Sequence, residues 1–192
     1  MPVRHLYFVR HGQYFTDPKQ ETHGSLTSLG QRQASRLAKR LSQGPTFDVV
    51  YSSDAPRAVQ TAEIVLAKLD QVPWKKTRSL REGLPSMAPH WPKEMRPSSK
   101  ELKATQFRMR RAFDKHFQPT RPKDRHELFI VHGNLIRYLT RLALGDPPAH
   151  WWKMAIHNCS LTSFAVARPP LGRTLIQFGD VGHLPTKMQT FG

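Results

Sequence analysis

Two histidines follow short apolar runs, in Val9-Arg10-His11-Gly12 and in Val131-His132-Gly133. An imidazole with a pKa of about 6.5 is a competent nucleophile or base at physiological pH. Arg10 adjoins the first histidine, and Arg57 stands in the first turn of a helical pattern. A transferring phosphoryl group spreads negative charge over three oxygens, and the forked donors of guanidinium match that geometry. Glu82, in Leu80-Arg81-Glu82-Gly83, is a candidate acid for a leaving group. Singly, each has an ordinary structural reading: a hydrogen-bonded histidine behind a strand, an arginine on a helix surface, a solvated glutamate. Their shared placement after successive strands points to an anion-handling site.

The elements that must position them alternate between strand and helix. Residues 6–9 form a continuously apolar run, as a strand covered on both faces does. Ser28 and Gln31 have capping-box spacing ahead of Ala34, Leu37, Ala38 and Leu41. A second strand is expected over 47–51, with Ser52-Ser53-Asp54 as cap of a helix marked by Ala58, Ala62, Val65 and Leu69. A weaker strand at 74–77 leads into a Pro-, Ser- and Met-rich excursion over 83–99. Helical spacing returns over 101–117, then a buried strand at 128–131 and a helix over 134–144 capped by Asn134. Runs at 161–167 and 174–178, split by Pro169-Pro170-Leu171-Gly172, read as a terminal strand pair. The pattern predicts one α/β domain over residues 1–192. It should have three α/β/α layers, with a mostly parallel sheet, helices on both faces and an antiparallel C-terminal pair. Ligands of such sheets bind beyond the carboxyl ends of the strands, so His11 and His132 should meet in one crevice. The N-terminus of the helix after His132 would aim backbone N–H groups at an anion there.

Thirty Lys and Arg against 14 Asp and Glu leave a charge of +16. Such a field attracts phosphorylated proteins, nucleic acid or anionic membrane alike, and a well-solvated basic surface accounts for it equally. Charged residues at 23% and hydrophobic ones at 38% fit a folded rather than a disordered chain. Cys159 is the single cysteine, so no internal disulfide can form. Asn158-Cys159-Ser160 matches a glycosylation sequon, but strand-like sequence begins too near Met1 for a signal peptide. No apolar stretch approaches the roughly 20 residues that span a bilayer. The expectation is a soluble protein, cytoplasmic or mitochondrial and not secreted. No zinc spacing, recognition helix or RNA-binding aromatic signature is present. No metal and no cofactor is expected.

Five ordered blocks carry a resemblance: Val9-Arg10-His11-Gly12, Leu26-Thr27-Ser28-Leu29-Gly30 with Gln33-Ala34, the run from Tyr51 to Ala58 with Thr61-Ala62, Leu80-Arg81-Glu82-Gly83, and Val131-His132-Gly133. Together they resemble the histidine phosphatase superfamily, the phosphoglycerate mutase-like enzymes, over most of the chain. The resemblance implies that His11 accepts a phosphoryl group held by Arg10, Arg57 and His132. Glu82 would protonate the leaving oxygen and then activate water, while Gly12, Gln13, Gly133 and Asn134 would line the substrate. Such a site needs no metal or cofactor.

Within that superfamily the chain is similar to the mitochondrial serine/threonine phosphatase branch. The likeness rests on Gly12-Gln13-Tyr14 after the histidine, His90-Trp91, Asn134-Leu135-Ile136-Arg137-Tyr138, and Phe178-Gly179-Asp180-Val181-Gly182. Gly12 stands where that branch has serine, and neither its membrane anchor nor its Trp-Asp-rich assembly segment is found here. The implied substrate is a phosphorylated protein. A short excursion after Glu82 would leave the pocket open, and Arg96, Lys100, Lys103, Arg108, Arg110 and Arg111 would favour acidic flanks. Rival readings are a small-metabolite phosphatase or mutase, which needs an enclosing lid, and a non-catalytic scaffold for phosphoprotein or nucleic acid. Homodimerisation stays open.

Overall fold

The computed structural model describes residues 1–87, 91–92 and 96–191, so His90 and part of the Pro-rich excursion lie outside the described residues. The chain runs β1 (Arg4–Arg10), α1 (Ser28–Leu41), β2 (Val49–Ser53), α2 (Pro56–Leu66), β3 (Trp74–Thr77), α3 (Ser99–His116), β4 (Arg125–Val131), α4 (Gly133–Ala143), β5 (Leu161–Val166) and β6 (Arg173–Asp180). Its six strands form one sheet in the order β3-β2-β4-β1-β5-β6. β1, β4, β2 and β3 pair in parallel, while β5 runs antiparallel to both β1 and β6. This is the mostly parallel sheet with a C-terminal antiparallel pair that the alternation predicts.

Side-chain alternation divides the core between two layers of helices. Leu6, Phe8, Phe129 and Val131 face α3 and α4. Val9, Val50, Leu128 and Ile130 face α1 and α2. Burial on both faces is why β1 and β4 read as unbroken apolar runs. Phe8 stacks on Phe129 with ring centroids 4.6 Å apart, welding the two strands that carry the histidines.

Three caps differ from expectation. Thr27, not Ser28, caps α1: its backbone is extended and its Oγ1 accepts from Gly30 N at 3.0 Å, while Ser28 is already helical. α2 is capped by Ala55 with Pro56 next. Ser52 and Ser53 still belong to β2, and the Asp54 carboxylate is taken by Arg81. The cap of α4 is His132, so Asn134 lies inside the first turn. A capping box does occur, at Ser98 and Glu101 ahead of α3. β2 starts at Val49, although Phe47 before it is buried. Short 3-10 turns at Arg78–Leu80, Pro148–Lys153 and Thr186–Met188 carry no signal that the hydrophobic period could reveal. No helix among the described residues is long and apolar enough to cross a membrane.

Candidate active site

Register decides which side chains meet. Arg10 pairs with Val131, and Ser52 with Ile130, so β1, β4 and β2 end level with one another. His11, His132 and Ser53 leave these ends together. The two imidazoles are buried with centroids 5.1 Å apart.

His11 is held from several directions. Its backbone N–H donates to Val131 O at 2.9 Å, and its carbonyl accepts from Asn158 Nδ2 at 3.1 Å. Nδ1 lies 2.8 Å from Gly12 O. A carbonyl oxygen can only accept, so Nδ1 carries the proton and Nε2 keeps its lone pair. That lone pair accepts from Arg57 Nε at 3.0 Å. The Arg57 guanidinium lies over the Tyr14 ring at 4.5 Å, and Tyr14 meets His11 edge-on at 5.1 Å.

Gly12 and Gln13 are committed largely to the scaffold. Gly12 N donates to Thr61 Oγ1 at 3.1 Å, which itself donates to Arg57 O at 2.7 Å. A Cβ on Gly12 would meet Gly30 O at 2.6 Å, so this loop and the first turn of α1 pack backbone on backbone. Glycine at position 12, the departure from the resembled branch, is therefore a packing requirement of this chain. Gln13 N donates to Gln33 Oε1, and Gln13 Oε1 accepts from Thr27 Oγ1, both at 2.8 Å.

Glu82 arrives from the edge of the sheet, after β3 and the 3-10 turn. Its Oε1 accepts from Asn134 N at 3.1 Å, so the α4 N-terminus grips this carboxylate. Its Oε2 stands 3.9 Å from His132 Nδ1, a nitrogen without a hydrogen-bond partner among the described residues. His132 Nε2 meets Ser53 Oγ at 2.8 Å. Gly133 leaves room for Arg10, whose Nε a Cβ there would approach to 3.3 Å, and Arg10 Nη1 donates to Ile156 O at 2.7 Å. Arg137 donates to Met154 O and to the Asn134 side chain.

All five predicted catalytic residues thus converge. Ser53, Thr61, Asn158 and Arg137 join them without having been assigned roles from sequence. Asn158 is buried against His11, so the sequon is no accessible acceptor. Ser53, Thr61 and Arg137 lie within the resembled blocks, and Arg137 also stands one turn beyond Gly133 on the same helix face.

The pocket moves its titratable groups in useful directions. Burial, then Arg57 and Arg10, hold His11 well below the usual imidazole range, with the Gly12 carbonyl opposing. Burial, then His11 and the arginines, do the same to His132. Burial raises the Glu82 carboxyl, opposed by Arg57, Arg10, Arg137 and the Asn134 N–H. Donor atoms of His11, Glu82 and His132 lie within 4.8 Å of one another, close enough to hold a metal, although no sequence spacing announces it. The guanidinium groups of Arg10 and Arg57 beside them repel a divalent cation and attract an anion.

Clefts border the site on either side of Phe191. One of about 480 Å³ is lined by Tyr14, Thr27 and Asn158, and one of about 280 Å³ by Arg10, Arg137 and Lys153. The described part of the excursion folds toward the Pro148–Lys153 turn: Trp91 meets Trp151 edge-on, and Ser86 Oγ accepts from Trp151 Nε1 at 2.9 Å. Of the basic residues expected at the mouth, Arg110 pairs with Asp114 and Arg111 lies over Phe107, while Arg108 turns inward to backbone carbonyls.

Residues 6–170 match the family model of the histidine phosphatase superfamily, branch 1. The chain is 36% identical over 191 residues to the mitochondrial serine/threonine-protein phosphatase Pgam5 of Caenorhabditis briggsae, covering 96% of this chain and 66% of that one. It is 32% identical to the human protein of that name, over 95% of this chain and 64% of the relative. The chain thus spans about two thirds of the length of these relatives. Among solved structures it is similar to a phosphoglycerate mutase from Plasmodium falciparum, with TM-score 0.67, 25% identity and full coverage of both chains. A mycobacterial glucosyl-3-phosphoglycerate phosphatase shares the fold, at TM-score 0.70 and 22% identity over 93% of this chain and all of that one.

Proposed function

This chain belongs to the histidine phosphatase superfamily, branch 1, and we propose from that premise that it hydrolyses phosphomonoesters through a phosphohistidine on His11. The observation that carries the reading is the unprotonated His11 Nε2, fixed by the Nδ1 bond to Gly12 O. Nε2 attacks phosphorus, and the bond to the leaving oxygen breaks as that oxygen takes a proton from Glu82. Arg57 exchanges its bond to Nε2 for a phosphoryl oxygen, with Arg10 and His132 Nδ1, which has no hydrogen-bond partner among the described residues, completing the clamp. Glu82, now ionised, takes a proton from water as the water oxygen attacks phosphorus and the P–N bond breaks. Phosphate leaves, and every group returns to its starting state. Gly12, Gln13, Gly133 and Asn134 shape the wall of the pocket, and no step requires a metal.

The proposed substrate is phosphoserine or phosphothreonine in a polypeptide, and the proposed compartment the mitochondrion, in keeping with the names of the relatives. The two clefts that share Phe191, one reaching Tyr14 and Asn158 and the other Arg10 and Arg137, offer room for flanking residues. Turnover of phosphoserine and phosphothreonine peptides should exceed that of 3-phosphoglycerate, be unchanged by EDTA and be inhibited by vanadate. Acid-quenched enzyme should carry acid-labile phosphate on His11. Similarity to a mutase favours a second reading, phosphoryl transfer between positions of one small metabolite. Faster isomerisation of 3-phosphoglycerate than hydrolysis of any peptide would establish it, and loss of activity in EDTA would refute the metal-free mechanism.

A further inference from the structure

Arg108 lies on α3, on a helix whose other arginines face solvent or neighbouring side chains of the helix itself. Its guanidinium instead reaches across to the segment that carries Glu82. Nη1 donates to the carbonyls of Ser79 and Arg81, and Nη2 donates to the carbonyl of Glu82 at 3.0 Å. Three acceptors within four residues on one planar fork fix both the height and the tilt of that backbone. The contact is close: a Cβ on Gly83 would meet Arg108 Nη2 at 3.0 Å and Thr105 Cγ2 at 2.8 Å. Glycine at 83 therefore lets α3 approach the backbone immediately after the acid.

This segment has other ties as well: Leu80 is buried in the core, and Asn134 Nδ2 donates to Gly83 O at 3.2 Å. It follows the four-residue edge strand β3, and the Asp54–Arg81 pair that holds it from the other side is partly exposed. Asn134 grips this region at the Glu82 carboxylate and at Gly83 O, whereas the carbonyls of Ser79, Arg81 and Glu82 are bound by Arg108. Misplacing a catalytic group by about 1 Å costs on the order of 100-fold in rate.

We infer that Arg108 is a positioning residue for the acid: it clamps the 79–83 backbone so that the Glu82 carboxyl is presented to the leaving oxygen. Its effect passes through Glu82, so it must follow the substrate's need for protonation. The inference rests on the role proposed for Glu82 and adds to it the element that sets that role.

The test measures kcat and KM on a phosphoserine peptide and on p-nitrophenyl phosphate for Arg108→Met, Arg108→Lys, Glu82→Gln and the double variant Arg108→Met/Glu82→Gln. Lys115→Met, at an exposed position of the same helix, serves as control. Arg108→Met should lower kcat on the peptide by about 10-fold to 100-fold and on the aryl phosphate by less than about threefold. Arg108→Lys, which keeps the charge and one donor, should fall between Met and the parent. The double variant should be no slower than Glu82→Gln alone, and Lys115→Met should match the parent. Equal losses on both substrates, or losses that multiply in the double variant, would overturn the inference. If Glu82→Gln itself shows no leaving-group selectivity, the acid assignment fails instead, so the two failures are distinguishable. Should Arg108→Met not fold, the Lys variant alone carries the same substrate comparison.

Discussion

Replacing Glu82 by Gln isolates the proton from the geometry. Glutamine keeps an Oε1 to accept from Asn134 N, the 3.1 Å bond that places the carboxylate, and it preserves the volume beside His132. What disappears is the ionisable oxygen. A general acid contributes about 10² to 10⁴ in rate, or roughly 3–5 kcal/mol of barrier. An alkoxide leaving from phosphoserine needs all of it, whereas a nitrophenolate needs little. The peptide kcat should therefore fall by about 10² or more and the aryl phosphate kcat by only a few fold. KM should move the opposite way. Glu82 is a carboxylate set among Arg10, Arg57 and Arg137, and its removal strengthens their attraction for a phosphate dianion. Inorganic phosphate should inhibit the variant at lower concentration than the parent. Stability follows the sign of the shift. The folded-state pKa lies above the unfolded one, so ionising Glu82 opposes folding as pH rises, and the variant should melt no lower than the parent at pH 8. Steady-state kinetics on both substrates, phosphate inhibition and a melting curve complete the assay. Equal kcat losses on the two substrates together with weaker phosphate inhibition would refute the reasoning.

His11→Ala should reduce turnover to background on both substrates and abolish acid-labile phosphate on the protein, measured by acid quench with labelled substrate. Gly12→Ser brings a Cβ to 2.6 Å from Gly30 O and should destabilise the fold by about 1–3 kcal/mol, read by urea unfolding. His116, buried against Tyr51 and Phe129 with Nδ1 unpartnered among the described residues, is held down to about 3. Its folded pKa is depressed, so stability is lost as pH falls below about 6.5, by about 2 kcal/mol at pH 5 relative to pH 8. His116→Phe should remove that share of the pH dependence, and an unchanged slope in urea unfolding at the two pH values would show otherwise.

The parts of the fold legible in sequence are those that bury a continuous face. β1 and β4 announce themselves because both of their faces are covered, and the helices because one stripe of each is apolar. Cap positions differ by a residue or more because several Ser, Thr and Asp side chains stand near the starts of α1 and α2, while at α4 the backbone turns helical at Gly133, before Asn134; backbone angle decides in each case. Convergence of His11, Arg57 and His132 was legible because all three follow strands or open helices of a parallel sheet. The supports were not. Ser53 looks like a helix cap until register places it at the end of β2, opposite His132. Asn158 looks like a sequon until the turn before β5 folds against the His11 carbonyl. Arg108 looks like one more solvated charge on a basic helix. Each acts on a group distant in sequence, and side-chain identity encodes no such distance.

Taken together, the shifts answer a difficulty of acid–nucleophile pairs. The proposed reaction needs a neutral imidazole and a protonated carboxyl at the same moment. With ordinary values of 6.5 for His11 and 4.5 for Glu82, the carboxyl loses its proton before the imidazole does. At pH 5.5 each group would be in its working form about a tenth of the time, and both together about 1% of the time. Burial lowers the first pKa and raises the second, and it is the largest cause in both cases. One pocket thereby moves the two titrations toward each other and raises the doubly competent fraction. The arginines act unevenly on the pair: Arg57 and Arg10 reinforce the shift on His11 and oppose it on Glu82. An arriving phosphate dianion neutralises that opposition, so substrate binding should itself raise the Glu82 pKa further and load the acid. The alkaline limb of kcat should accordingly lie above that of kcat/KM, since the first reports the loaded enzyme and the second the free one. Superimposable alkaline limbs would mean that the bound phosphate does not sense Glu82.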